Sequence, residues 1–451
     1  MTVADLGRLL RARKLSCVEL VEQTLANIKE RDSFKCFITV TEDEARVHAA
    51  ALDDELARGV DRGPFHGIPI AFKDLFYTKG VRTTAGSLVY RDFVPNYDGT
   101  VVERLKAAGA VSVGKTNLHE LAFGITSKNP HFGSVLNPLD TERLAGGSSG
   151  GSAAAIAAGF LPTALGTDTG GSVRIPASFC GITGLKPTYG RVSRFGVLPL
   201  AFSLDHVGPL GATVEDCALA MNVIAGPDTR DASCSSRPAG DFNLPIRSHL
   251  KSVRVGVPSN FFLDRVRDDV AEAVKRSVRE MQRLGAETAD VRVPNFEDAN
   301  AAARIIQLCE VAALYSRETD RSKFGDDVWS LIEQGRILHG SDYVNAQRVR
   351  AALRREFSSL WKEIDVLACP TTPTTAPLSS ETTLEIQGRT EDTRMATTRL
   401  VRGMNFFGEP ALSMPCGTGE DGMPVALQLI GAPFSEPALL QIAKTLEHEL
   451  S

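Results

Sequence analysis

The sequence predicts an α/β protein, because helical patterns alternate with short apolar runs along its 451 residues. Ser16 and Glu19 form a capping-box pattern ahead of apolar residues at helical spacing, and a second helix fits residues 42–58. The run from Gly67 to Phe72 then has the composition of a short buried strand opened by a turn. The order of these patterns favours a sheet with helices packed against it.

The rest of the chain continues this alternation after one interruption. Residues 226–250 are polar and broken by prolines, so no regular element is expected there. The other predicted elements are helices at 101–108 and 268–284, mostly helical structure at 305–357, strands at 110–114, 161–165, 253–257, 364–367, 411–415 and 425–430, and a final helix from 436. We therefore expect one domain over 1–451, comprising N-terminal helices (1–60), a catalytic core (61–225), a helical cap (250–365) and a C-terminal return to the sheet (366–451).

The charge and cysteine patterns exclude several classes of partner and site. The chain has 50 Lys+Arg and 55 Asp+Glu, a formal net charge of −5, which gives no basic footprint for nucleic acid or anionic lipid. Its most apolar stretch, 153–165, is too short to span a membrane. The eight cysteines are scattered without a Cys-x-x-Cys pair, so a metal site is not expected. These features predict a cytoplasmic protein with reduced thiols and without nucleic-acid or membrane partners.

Two segments rich in glycine and serine are the most informative motifs. Residues 146–152 read GGSSGGS and run into an alanine-rich helix, and residues 166–174 read GTDTGGSVR. The first segment also matches the lipase-like Gly-x-Ser-x-Gly pattern centred on Ser149, but no histidine among His206, His249 and His339 is favoured as its base.

A further glycine pattern matches a nucleotide-binding motif, but it lies in the wrong structural context. Residues 417–422 satisfy Gly-x-Gly-x-x-Gly, but they precede a strand rather than a helix, so a hairpin turn is expected there.

Together the two segments and an upstream lysine resemble the amidase signature family. Ser148 and Ser172 lie in the two segments, and Lys73 follows the apolar run GIPIAF. The resemblance continues through PASFCG at 176–181, GLKPT at 184–188 and the closing hairpin around 422–431, so it covers nearly the whole chain. It implies an amidase signature fold, in which a mixed central β-sheet is covered on both faces by α-helices.

The resemblance also implies a role for each motif residue. Ser172 is expected to be the nucleophile that carries the acyl group, Ser148 to relay protons after a cis peptide bond, and Lys73 to be the general base. The remaining implied positions are Thr169, Gly170 and Gly171 at the oxyanion hole, Ser149 bonded to the lysine or the loop, Ala122 at the substrate lining, and Asp168 and Arg174 holding the loop by charged hydrogen bonds.

Two branches of the family remain as alternatives. YGRVSRFG at 189–196 and PTTPT at 370–374 resemble the A subunit of the tRNA-dependent amidotransferase, which releases ammonia from glutamine with partner subunits. However, residues 396–400 lack that branch's acidic residue for the substrate ammonium, and Arg399 would repel it. A non-catalytic scaffold would be expected to lose Lys73, Ser148 or Ser172, and all three are present.

The sequence argument therefore favours a stand-alone amidase. We expect it to hydrolyse a small-molecule amide to carboxylate and ammonia, without metal or organic cofactor and without nucleic acid. Homodimers are common among the relatives that the resemblance identifies, but the sequence leaves the oligomeric state open, with a homodimer as one alternative. The glutaminase subunit of the amidotransferase is the alternative.

Overall fold

A computed structural model describes residues 1–450 and shows a mixed α/β fold, as predicted. Eleven strands form one sheet and two more form a separate hairpin. In chain order the strands are β1 (Phe37–Val40), β2 (Pro69–Lys73), β3 (Val111–Thr116), β4 (Thr163–Asp168), β5 (Thr183–Lys186), β6 (His206–Gly211), β7 (Arg254–Pro258), β8 (Glu287–Val291), β9 (Val366–Pro370), β10 (Thr383–Ile386), β11 (Arg389–Asp392), β12 (Ala411–Thr418) and β13 (Pro424–Gly431).

The large sheet combines segments from the whole chain. Its strand order is β1-β3-β2-β4-β6-β5-β12-β13-β9-β7-β8. β2 runs parallel to both β3 and β4, whereas β6, β5, β12 and β13 are antiparallel to their neighbours. β2 and β4 are buried along their whole length, because helices cover this part of the sheet.

The helices pack against the sheet and against one another. They are α1 (Val3–Arg11), α2 (Cys17–Arg31), α3 (Glu42–Ala57), α4 (Thr100–Ala107), α5 (Gly150–Ala157), α6 (Arg174–Cys180), α7 (Val214–Ile224), α8 (Asp268–Arg283), α9 (Phe296–Leu314), α10 (Asp326–Arg336), α11 (Gly340–Ser358), α12 (Thr393–Thr398), α13 (Arg402–Phe407) and α14 (Glu436–Leu450). None of those within residues 1–450 combines the length and apolar character of a membrane-crossing segment.

Local signals in the sequence account for several of these boundaries. The backbone N–H of Glu19 donates to Ser16 Oγ at 3.1 Å, and the N–H of Ser16 donates to Glu19 Oε2 at 2.8 Å, so the predicted capping box begins α2. The two apolar runs near the C-terminus form the antiparallel hairpin of β12 and β13. The turn at 417–422 therefore closes a hairpin and does not open a helix.

The segment 250–365 is less uniform than the predicted helical cap. It contributes β7 and β8 to the edge of the sheet, and α8 packs on β9, β12 and β13. Only its later part forms a helical layer, in which α9 contacts α10, α11 and α13. The rings of Phe296, Phe357 and Phe407 pack together there, with Phe357 and Phe407 stacked at 4.5 Å. This packing places α13 beneath the helical layer.

Candidate active site

Lys73 lies at the end of β2 with its side chain fully buried. Its Nζ donates hydrogen bonds to Ser148 Oγ at 2.7 Å and to Thr167 Oγ1 at 2.8 Å. Burial lowers the pKa of Lys73 to about 7, although the nearby charges of Asp168 and Asp205 oppose this shift. A large fraction of the amine is therefore neutral near pH 7, and a neutral amine can accept a proton.

The neighbouring acid, Asp74, is bound to a different lysine. Lys115 Nζ lies 2.9 Å from Asp74 Oδ1, and both side chains are fully buried. Asp74 also accepts a hydrogen bond from Thr84 Oγ1 at 2.6 Å. Lys115 lies on β3 beside β2, so the adjacent parallel strand supplies this counter-ion. Asp74 is consequently not the ion-pair partner of Lys73.

Ser148 lies in the loop that leads into α5. The peptide bond between Gly147 and Ser148 is cis, as the family resemblance implies. A Cβ on Gly147 would lie 2.8 Å from Ser127 Oγ and 2.9 Å from the carbonyl carbon of Ile125, so only glycine fits this backbone path. The loop thereby brings the fully buried Ser148 to the lysine.

Ser172 lies in the tight turn between β4 and α6. The carboxylate of Asp168 accepts hydrogen bonds from the N–H groups of Gly171 at 2.8 Å and Val173 at 3.1 Å. Gly171 has a φ of +119°, and a Cβ there would lie 2.4 Å from Val401 Cγ2. Ser172 is 6% exposed, and its carbonyl oxygen accepts a hydrogen bond from the N–H of Ser149 at 3.2 Å. This bond joins the two serine segments.

The same turn decides which backbone groups are free to bind an oxyanion. The N–H of Gly171 is already bonded to Asp168. The N–H groups of Gly170 and Ser172 have no hydrogen-bond partner within residues 1–450. The structure thus assigns Gly171 to shaping the turn, whereas the N–H groups of Gly170 and Ser172 are free donors beside the Ser172 side chain.

A buried ion pair holds this turn in place. Arg174 Nε and Nη2 each lie 3.0 Å from an oxygen of Asp168, and both side chains are fully buried. Although burial alone raises it, the charge and hydrogen bonds of Arg174 hold the pKa of Asp168 well below its usual value. Asp168 and Arg174 thus hold the loop by charged hydrogen bonds, as expected from the sequence.

Asn405 and Gln428 complete this network, and the sequence analysis assigned neither of them a role. Asn405 Nδ2 donates to Asp168 Oδ1 at 2.9 Å and its Oδ1 accepts from Arg174 at 2.8 Å. Gln428 Oε1 accepts from Arg174 at 2.8 Å. Asn405 belongs to an Asn-x-x-Gly segment and Gln428 to a strand, and nothing in their own spacing connects them to Asp168.

The remaining predicted site residues lie around this centre. Ser149 Oγ donates to the carbonyl of Thr167 at 3.1 Å, so it binds the loop and not the lysine. Thr169 Oγ1 donates to Asp205 Oδ1 at 2.6 Å. Ala122, Thr167 and Thr169 line a cavity of about 320 Å³, which also contacts Leu75. Ala122 thus borders the same cavity as Thr167, which is hydrogen-bonded to Lys73.

The lipase-like alternative for Ser149 finds no support in this geometry. The Ser149 side chain is fully buried, and its hydroxyl contacts only the backbone of Thr167 within residues 1–450. His206 Nδ1 instead lies 2.7 Å from the carbonyl oxygen of Leu204. Within residues 1–450, no histidine is hydrogen-bonded to Ser149, although the lipase pattern requires one.

Arg399 has a different role from the one that the sequence argument gave it. Its guanidinium donates to the carbonyl oxygens of Phe261 at 2.9 Å and Arg265 at 3.0 Å, and also to that of Asp264. The side chain is 5% exposed. Arg399 therefore ties α12 to the 261–265 loop.

The geometry agrees with comparison to known proteins. The family model described as Amidase matches residues 19–440. The chain belongs to this family. It is an amide-hydrolysing enzyme with the amidase signature fold, and the family resemblance seen in the sequence is confirmed.

Its similarity to individual amidase-family proteins extends over nearly the whole chain. The A subunit of the glutamyl-tRNA(Gln) amidotransferase of Thioalkalivibrio sulfidiphilus (strain HL-EbGR7) is 41% identical over 98% of this chain and 96% of its own. A solved vestigial protein complex, described as revealing the evolutionary origins of an s-triazine catabolic enzyme, superposes with a TM-score of 0.96 at 37% identity, covering 100% of this chain and 98% of that one. A crystal structure of an amidase gives 0.91 at 35% identity and covers 100% of both chains.

The name of the first relative overturns one prediction. The sequence argument expected a small-molecule amide substrate and no nucleic acid. A relative that matches 98% of this chain belongs to an enzyme named for a tRNA. The expected partners are therefore wrong. The net charge of −5 does not exclude a nucleic-acid partner, because one subunit of an assembly need not carry a basic surface of its own.

Replacement of Asp168 tests the network that holds the turn carrying Ser172. Asp168→Asn leaves the buried Arg174 charge without its counter-ion, and we expect a loss of about 3–5 kcal/mol in the free energy of unfolding. Urea-induced unfolding followed by circular dichroism measures this loss. The matched control is Asp365→Asn, which removes an ion pair with Arg254 whose side chains are 40% and 41% exposed. This control should cost about 1 kcal/mol or less, and equal losses for the two variants would contradict the assigned role.

Proposed function

We propose that this enzyme hydrolyses a carboxamide through an acyl-enzyme on Ser172, with Ser148 and Lys73 moving the protons. The observation that carries this proposal is the 2.7 Å hydrogen bond between the buried Lys73 Nζ and Ser148 Oγ. The hydrogen bond from the N–H of Ser149 to the carbonyl oxygen of Ser172 also supports it, because it joins the Ser172 turn to the loop that carries Ser148. A nucleophile, a proton relay and a base of suitable pKa are the groups that amide hydrolysis needs.

The proposed reaction has two balanced steps. Ser172 Oγ attacks the amide carbon while its proton passes through Ser148 Oγ to Lys73 Nζ, and the carbonyl oxygen becomes an oxyanion beside the free N–H groups of Gly170 and Ser172. The carbon–nitrogen bond then breaks as the proton returns through Ser148 to the departing nitrogen, which leaves as ammonia. Water next attacks the ester by the same proton route, which releases the carboxylate and restores the Ser172 hydroxyl.

We further propose that the chain acts as the amide-hydrolysing subunit of an amidotransferase assembly. The 41% identity to the A subunit of a glutamyl-tRNA(Gln) amidotransferase, over 98% of the chain, supports this choice over a stand-alone amidase. The segments 189–196 and 370–374 support it as well. The charge of Arg399 is no longer an argument against it, because carbonyl oxygens of the 261–265 loop bind that guanidinium.

Replacement of the nucleophile tests the chemistry. Ser172→Ala should lower ammonia release about 10³-fold or more, because no acyl-enzyme can form. The assay uses a panel of glutamine, asparagine and simple aliphatic and aryl amides. Ser178→Ala is a matched control, since Ser178 is another buried serine, on α6, bonded to Thr372. Full activity in a folded Ser172→Ala protein would rule out the mechanism.

The pH dependence tests the assignment of the base. Protonated Lys73 cannot accept a proton, so kcat/KM should rise as the pH increases through about 7 and level off above it. Lys73→Ala should lose about 10²- to 10⁴-fold in activity at neutral pH, together with this limb of the profile. Lys186→Met is the matched control, because burial also lowers the pKa of Lys186 to about 7. If the limb disappeared in the control and persisted in Lys73→Ala, the assignment would be wrong.

Reconstitution tests the proposed assembly. Ammonia release from glutamine should be low for the isolated chain and should increase when the other subunits of a glutamyl-tRNA(Gln) amidotransferase and its tRNA are added. Ammonia release and size-exclusion chromatography follow activity and association together. Rapid turnover of simple aliphatic or aryl amides by the isolated chain, without association, would favour the stand-alone amidase instead.

A further inference from the structure

One buried cation near the nucleophile has no counter-ion. Arg402 begins α13, and its side chain is 6% exposed. No hydrogen bond or ion pair involves its guanidinium within residues 1–450, and its Nε is buried without a partner. The two terminal nitrogens are not among the buried atoms, so they border accessible space. Burying an unpaired charged group is costly, and such groups in native proteins call for an explanation.

Two other buried arginines in this region donate hydrogen bonds through both terminal nitrogens. Arg174 binds Asp168, Asn405 and Gln428. Arg399 is bound to backbone carbonyls. Arg402 differs from these two arginines because its guanidinium makes no hydrogen bond within residues 1–450. A role in holding neighbouring segments together therefore does not explain why it is buried.

Arg402 is held beside the turn that carries Ser172. Arg174 Nη1 donates to the carbonyl of Val401 at 2.9 Å, which fixes the residue just before Arg402. A Cβ on Gly170 would lie 3.7 Å from Arg402 Nε, so the arginine packs directly against this glycine. Because Gly170 is two residues before Ser172, Arg402 lies within reach of a molecule bound at the nucleophile.

The surroundings of Arg402 are positively charged. Burial, with the charges of Arg394 and Arg304, lowers the pKa of Arg402 to about 9, so the guanidinium is still protonated at neutral pH. Arg394 donates to the carbonyl of Phe123 at 2.9 Å and Arg304 to Gln334 Oε1 at 3.1 Å, which are neutral partners.

The acids near this cluster do not neutralise Arg402. The charges of Asp327 and Asp392 raise the pKa of Arg394, and Asp327 Oδ2 lies 2.9 Å from His119 Nε2. No carboxylate forms an ion pair with Arg402 within residues 1–450, and its pKa is lowered by burial and by the charges of Arg394 and Arg304. The site next to Gly170 therefore has an excess of positive charge in a largely dehydrated setting, where a bound anion gains the most.

We propose that Arg402 binds a carboxylate of the substrate, so that the amide hydrolysed at Ser172 is the monoamide of a short dicarboxylic acid or a related amide with a carboxylate. This inference rests on the proposed function. Because that function releases ammonia, the carboxylate belongs to the acyl part of the substrate. The planar guanidinium matches a carboxylate in two parallel hydrogen bonds.

Chromogenic esters test the proposal without knowledge of the natural amide. The probes are the mono-para-nitrophenyl ester of glutaric acid and para-nitrophenyl valerate, which have the same chain length and differ in the terminal carboxylate. We expect wild-type kcat/KM to favour the glutarate ester by about 10- to 100-fold, the range of one charge-assisted hydrogen-bonded pair. Arg402→Gln should reduce this ratio to near one, mainly through KM, and Arg402→Lys should restore part of it.

The control for loss of one positive charge is Arg292→Gln, since Arg292 is exposed on the surface. Its ratio should equal that of the wild type. A wild-type enzyme that hydrolyses both esters without favouring the glutarate ester overturns the proposal. If neither ester reacts, the binding comparison of the two amides described next decides it, and equal binding overturns the proposal. An unchanged preference in a folded Arg402→Gln protein overturns it as well.

A binding measurement separates this inference from the catalytic mechanism. In Ser172→Ala protein, isothermal titration calorimetry with glutaramate and with valeramide should show tighter binding of glutaramate, and Arg402→Gln should remove the difference. If Ser172→Ala retained esterase activity while this difference held, the proposed nucleophile would fail and the carboxylate site would stand. If the two amides bound equally and Ser172→Ala lost its activity, the carboxylate site would fail and the proposed nucleophile would stand.

Discussion

The turn that carries Ser172 depends on the buried ion pair between Asp168 and Arg174. Asp168 and Arg174 bracket Ser172 in sequence, and their side chains meet in the interior of the protein. Asp168 binds the backbone of the turn, while Arg174 extends to α13 and β13. A carboxylate and a guanidinium have enough hydrogen-bonding groups to join these segments at once, which an apolar contact of the same size could not do.

The second constraint is that Lys73 is buried without an ion-pair partner in direct contact within residues 1–450. Two buried lysines occupy adjacent parallel strands, and only Lys115 has an acid in direct contact. A carboxylate bound to Lys73 in the same way would favour its charged form and remove its capacity to act as a base. The pairing of Asp74 with Lys115 thus leaves Lys73, on the neighbouring strand, without a carboxylate in direct contact.

The sequence predicted the sheet, most helix positions and the family, because these follow from local periodicity, capping residues and compact motifs. It did not predict β5, β6 or β8, or the small β10–β11 hairpin. It also did not predict β1, whose four residues are half buried without alternation. Within the site, motif spacing identified Lys73, Ser148 and Ser172. The contributions of Lys115, Asn405 and Arg402 depend on contacts between distant segments, which no spacing rule contains. The sequence also could not show that Arg399 donates hydrogen bonds to backbone carbonyls, whereas the guanidinium of Arg402, three positions later, makes no hydrogen bond within residues 1–450.

The position of β12 has a consequence for synthesis of the protein. This strand lies between β5 and β13 in the interior of the sheet, although its residues 411–418 come late in the chain. A chain growing on the ribosome therefore exposes the free edge of β5 until those residues have emerged, and an unpaired edge invites association with other chains. Residues 401–405, which lock the nucleophile turn, emerge equally late. The nascent polypeptide thus depends on shielding of that edge until β12 has emerged.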